Sequence, residues 1–191
     1  MNLYEPSLAY GHLLVGQMLL AICCVFYLAW WCVTFMPGID KKKWTVPRIV
    51  FIVLAALIGV AGLCLSYIAI IVVHEPTRVS NATVVAVAAI AFILLYFVTV
   101  CVFDRRFTCE LFLIVGWGAL EACAANVLNA SAHLSDVWFG VMLGVVLVAC
   151  AVSLVMYVLY YRLAPRKAFV SGMVPLITEG VATALLVLVC Q

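Results

Sequence analysis

The stretch Phe169-Val-Ser-Gly-Met-Val-Pro-Leu-Ile-Thr-Glu179-Gly180-Val-Ala-Thr183-Ala-Leu-Leu-Val-Leu-Val-Cys190 decides the fold. It is an apolar run of membrane length with one carboxylate near its middle. A lone Glu at bilayer depth costs about 2.5–3.5 kcal/mol on insertion scales, so such a group rarely faces lipid. It faces other helices, a partner or a water-filled path. A second run repeats the arrangement: Leu111-Phe-Leu-Ile-Val-Gly-Trp117-Gly-Ala-Leu-Glu121-Ala-Cys-Ala-Ala-Asn126.

The rest of the chain is of the same kind. Of its 191 residues 69% are hydrophobic and only 9% charged, against about 25% charged in a soluble domain. Six runs reach the roughly 20 residues needed to cross a hydrocarbon core. They are expected at 8–35, 47–73, 82–103, 107–128, 137–161 and 168–190, joined by short connections into one domain over 1–191. The first run has no basic leader and ends in Trp30-Trp31 and Pro37-Gly38, so it reads as a span and not as a cleavable signal. The class is all-α integral membrane protein, six transmembrane helices arranged as three hairpins.

Nine of the ten Lys and Arg residues lie in three junctions: Lys41, Lys42, Lys43 and Arg48; Arg105 and Arg106; and Arg162, Arg166 and Lys167. The other junctions hold only Arg78. Basic short loops stay cytoplasmic, which predicts both termini outside a cell membrane. Nine cysteines fall almost entirely within apolar runs, with no Cys-x-x-Cys, and read as small packing residues. Neither a metal site nor a cofactor motif is present, and there is no nucleic-acid patch; the lipid bilayer is the evident partner.

The polar residues inside the spans are the candidates for function. Trp117 and Glu121 are one turn apart on one helix face, and Glu110 falls on the same stripe. Such a face suits a wet path. The alternative is a pair of buried acids, protonated or hydrogen-bonded, that fix helix packing. Neither acid has an intramembrane Lys or Arg to pair with, so either they share protons and hydrogen bonds or water reaches them. No His or Cys was found beside the acids, so an enzyme is not expected. His12, His74 and His133 are placed near the outer face; histidine changes charge between pH 5 and 8, which makes them candidates for external pH sensing. Ala55-x-x-x-Gly59 with Gly62, and Gly140-x-x-x-Gly144, are spacings for close helix packing. Pro175 precedes Glu179 by four residues as Trp117 precedes Glu121, a parallel-repeat signal of the kind that places polar sites near the midplane of transporters.

The segment Ile177-Thr-Glu179-Gly180-Val-Ala-Thr183-Ala resembles the last helix of the AmiS/UreI family of six-span urea and amide channels. Tyr96, in Leu94-Leu95-Tyr96, resembles an aromatic of that family's third span. The family's spaced tryptophans of the fifth span are missing here, where only Trp138 occurs. The resemblance implies a passive pore for a small neutral polar solute, with Glu179 facing the pore, in an oligomeric ring. On this basis Glu179, Glu121, Trp117, Tyr96, Gly180 and Thr183 are the expected pore or solute-binding residues. The runner-up function is a proton-coupled small-solute transporter in which the same acids cycle protons. The third is a non-transporting subunit of a membrane complex.

Overall fold

The computed structural model describes residues 6–38, 43–73, 77–102, 109–160 and 162–190. They form six helices: α1 (Pro6–Phe35), α2 (Thr45–Val72), α3 (Asn81–Cys101), α4 (Cys109–Ala130), α5 (Asp136–Tyr160) and α6 (Pro165–Val189). All six are long and apolar enough to cross a membrane, and the described residues contain no strand. Helix α6 starts three residues before its expected position because Pro165 takes its first turn, where a missing N–H costs nothing and φ is already helical.

Consecutive helices pair as hairpins: α1 on α2, α3 on α4, α5 on α6. The hairpins join where α1 meets α6 and α4 meets α5, so α1, α4, α5 and α6 surround the interior. Helix α3 stands at the edge, touching α4, with Thr99 its one buried side chain. Its exposed Val, Ile, Leu and Phe residues form a surface suited to hydrocarbon.

The tightest seam lies between α1 and α2. The buried residues of α2 are Ala55, Gly59, Gly62, Ser66 and Ala69, alternating steps of four and three that keep a single stripe against a crossing partner. A Cβ added to Gly62 would lie 2.9 Å from the Gly16 carbonyl oxygen and 3.0 Å from Leu20, and one on Gly16 would run into the Ser66 hydroxyl. Lipid tails are as apolar as leucine, so such backbone approach supplies much of helix association in a membrane. Cysteines fill the same purpose elsewhere: Cys23 sits over Gly59, Cys24 over Gly180 and Cys150 over Gly118. The α5 pair Gly140 and Gly144 departs from expectation. Both are exposed, with no atom within 4 Å of an added Cβ, so this spacing packs nothing within the chain.

The end of the bundle carrying the termini is closed by side chains. Tyr10, Leu13, Ala69, Leu128, Leu134 and Leu186 form one buried cluster drawn from α1, α2, α4, α6 and the α4–α5 turn. Above it Asn126 donates to the Val79 carbonyl at 2.6 Å and to Asn81 Oδ1 at 3.0 Å, while Arg78 pairs with Asp136. These contacts tie the α2–α3 turn to α4 and α5.

Gly62→Val should therefore lower stability by about 1–3 kcal/mol, as overpacking does, read as thermal unfolding in detergent. Gly140→Ala should leave unfolding unchanged or slightly raised. Equal losses in the two variants would contradict this account of the seam.

Candidate functional site

The two acidic stripes meet where α4 and α6 come together. The Thr183 hydroxyl donates to Glu121 Oε1 at 2.7 Å, and the Trp117 indole N–H donates to the same Thr183 oxygen at 3.0 Å. Helical spacing explains the meeting. Trp117 and Glu121 are four residues apart on α4, and Glu179 and Thr183 four apart on α6, so each pair presents one face. Thr183 thus spends its proton on Glu121 and a lone pair on Trp117. Glu121 is fully buried and Glu179 is 8% exposed. The carboxyls interact electrostatically with each other, and both act on Cys24 of α1 and Cys150 of α5. Ser153 of α5 stands beside Glu179.

Each acid keeps one buried oxygen without a hydrogen-bond partner: Oε2 of Glu121 and Oε1 of Glu179. Buried polar atoms are paired in the great majority of cases, and an orphan calls for a proton, a water or a ligand. The two orphans differ in what reaches them. A cavity of about 260 Å³ lies between α1, α4, α5 and α6, and Glu179 lines it. Exposed Glu110, with Phe35 and Tyr160, marks the end nearest the basic junctions. Glu121 does not line it. The cavity therefore rises from the basic end, reaches Glu179, and stops below the Thr183–Glu121–Trp117 cluster and the closed apolar half.

Its wall is shaped by two devices. Pro175 lines the cavity from within α6, where its missing N–H leaves one backbone carbonyl of the preceding turn without its helical donor. Trp31 of α1 packs against Gly172, one turn before Pro175, so closely that a Cβ there would overlap the ring. Its indole N–H donates to the Phe169 carbonyl at 3.1 Å. Ser171 donates to the Met156 carbonyl at 3.2 Å, fixing α6 on α5.

Glu179, Glu121, Trp117 and Thr183 thus form one polar cluster, while the other expected residues lie apart. Trp117 is engaged by Thr183 and does not line the cavity. Tyr96 is on α3, 36% exposed, edge-on to Phe97 at 5.7 Å and outside the cavity wall. Gly180 faces Cys24 as a packing glycine: a Cβ added there would lie 3.0 Å from the Cys24 Cβ. Cys24 and Cys150 come close to the acids from other helices, which corrects the expectation that no Cys lies beside them; the linear sequence could not show it because the contacts are between helices. His133 sits in the α4–α5 turn with Nδ1 3.0 Å from the Ser131 carbonyl and its ring against Tyr10. His12 is half-buried on α1, and His74 lies outside the described residues. Among the described residues no group of His, Cys, Asp and Glu could hold a metal ion. The cavity residues that sequence reasoning missed are Tyr27, Trp31 and Gly172. Trp31 reads as an interface anchor until its glycine partner is known, and only Gly172 standing three residues before Pro175 hints at a shaped wall. Comparison with family models, with curated proteins and with solved structures finds no match.

Thr183→Val removes the hydroxyl that satisfies Glu121 and should cost about 1–3 kcal/mol, the penalty of a buried group left unpaired. Thr183→Ser keeps the hydroxyl and should unfold close to the parent chain. Thermal unfolding in detergent distinguishes them; indistinguishable midpoints for the two variants would contradict the hydrogen-bond assignment.

Proposed function

We propose that this multi-pass membrane protein is a small-solute carrier in which solute and proton compete for Glu179. The observation that carries the reading is a one-sided cavity ending on a buried carboxyl oxygen that has no partner. An open pore needs a continuous wet path, whereas here leucines and alanines fill the opposite half. A site reached from one side at a time is the arrangement of alternating access, with polar groups near the midplane; here Pro175 stands one turn before Glu179 in α6. Glu121, behind Thr183, is the second proton acceptor, reached when the α4–α6 contact opens. On the basic-junction rule the cavity mouth faces the cytoplasm, with both termini outside.

A second reading rests on the run Glu179-Gly180-x-x-Thr183-Ala. By its resemblance to the AmiS/UreI family, the protein would be a facilitator for urea or a short amide, in a homo-oligomeric ring, closed at its outer half. Under that reading Glu179 hydrogen-bonds the solute's amide protons and no proton moves.

Proteoliposomes holding the full chain and a pH-sensitive dye decide between the two. The solute panel should include urea, acetamide, zwitterions and small amines. For at least one solute, an imposed gradient should move protons, and Glu179→Gln should cut the flux by about tenfold or more. Flux of urea or acetamide without proton movement would favour the facilitator. No flux for any solute, or flux indifferent to Glu179→Gln, would contradict both.

A further inference from the structure

The cavity wall is unlike the inside of a site for a neutral amide. It presents the rings of Tyr27, Trp31, Phe35, Tyr157 and Tyr160 and two carboxyl groups, Glu110 and Glu179. Among the described residues that line it there is no Lys or Arg. Arg166 and Lys167 stand at the same end but are exposed, where salt screens them within about 10 Å. The rings are mutually packed: Trp31 lies 4.4 Å from Phe35 and 5.9 Å edge-on from Tyr160, and Tyr27 stacks on Trp30 at 5.1 Å. The inner end is Glu179 with its orphan oxygen, in a residue more than nine-tenths buried. Ser171, the aliphatic hydroxyl on the wall, already donates to the Met156 carbonyl. What remains for a ligand is aromatic surface and an acceptor of positive charge.

We propose that the cavity binds a small organic cation, a protonated amine on an apolar body, with the ammonium at Glu179 and the body against Tyr27, Trp31 and Tyr157. This rests on the reading above that the cavity is the solute's site, and names the solute's class. Three physical arguments support it. A buried carboxylate is costly without a partner cation, and the described residues of this wall supply none. Aromatic rings attract a cation held within about 6 Å of them, and five such rings line this wall. The volume sits near the lower edge of small-molecule pockets, about 300–1,000 Å³, which suits one ring or a short alkyl chain. An anion would meet two carboxyls and no countercharge. Where Glu179 holds a proton before the ammonium binds, that proton leaves through the mouth to water as the carboxylate takes up the cation, and the two exchange one for one.

The test is calorimetric titration of the detergent-solubilised full chain with three probes of similar shape: benzylammonium, benzyl alcohol and benzoate. Benzylammonium should bind at least about tenfold more tightly than benzyl alcohol, and benzoate should not bind. Glu179→Gln should erase the preference for the amine over the alcohol. Equal affinity for amine and alcohol in the parent chain would overturn the proposal, as would a preference that survives Glu179→Gln or no binding of the amine. The parent chain's ranking of the probes needs no variant to fold. Proton-linked flux of another solute without amine binding would sink the solute class and leave the carrier standing; amine binding without flux of any solute would do the reverse.

Discussion

Two carboxyl groups at bilayer depth, with no basic side chain beside them, are the constraint around which the bundle is arranged. Glu121 is held by a hydroxyl from α6 that is itself held by an indole from α4. Glu179, one turn before that hydroxyl, is left to the cavity. The same helix pair thus treats two chemically identical groups differently, sealing one and exposing the other. That asymmetry gives direction to the interior: the cavity reaches Glu179 from the basic end, and Glu121 lies behind the Thr183 hydroxyl.

The remaining helices make that arrangement stable. The α1–α2 seam of glycine, alanine and serine fixes α1, which then presents Trp31 to Gly172 and Cys24 to Gly180 of α6. Helix α5 brings Ser153 and Cys150 toward the acids. Hydrophobic transfer between helices is nearly absent in lipid, so backbone approach and a few hydrogen bonds must hold the contacts. This is why bulk added at a seam glycine is expected to matter, while bulk added on the lipid side of α5 is not.

Much of the fold was legible from hydropathy, because a 20-residue apolar run has few other homes. The polar cluster was legible only in part: four-residue spacing put Trp117 with Glu121, Thr183 was named through the likeness of Glu179-Gly180-x-x-Thr183-Ala, and the bond from Thr183 to Glu121 across two helices had no sequence signal. What the sequence withheld was which face of each helix turns inward. In a soluble protein the polar face answers that; in a membrane both faces are apolar. Tyr96 was assigned inward on a loose likeness and lies at the edge of the bundle, and Gly140-x-x-x-Gly144 was read as a seam and is exposed. Trp31 sits where an interface anchor would sit, and only the placement of Gly172 across from it reveals its contact. The closeness of Cys24 and Cys150 to the acids is a tertiary fact with no local signature.

The central claim is that water from the basic end reaches Glu179 and goes no further. Labelling with a water-soluble carbodiimide and an amine nucleophile, mapped by mass spectrometry on the chain in membranes open to reagent on both sides, tests it most directly. The account predicts label on Glu110 and Glu179 and none on Glu121. Label on Glu110 alone, or on Glu121 as readily as on Glu179, would contradict it.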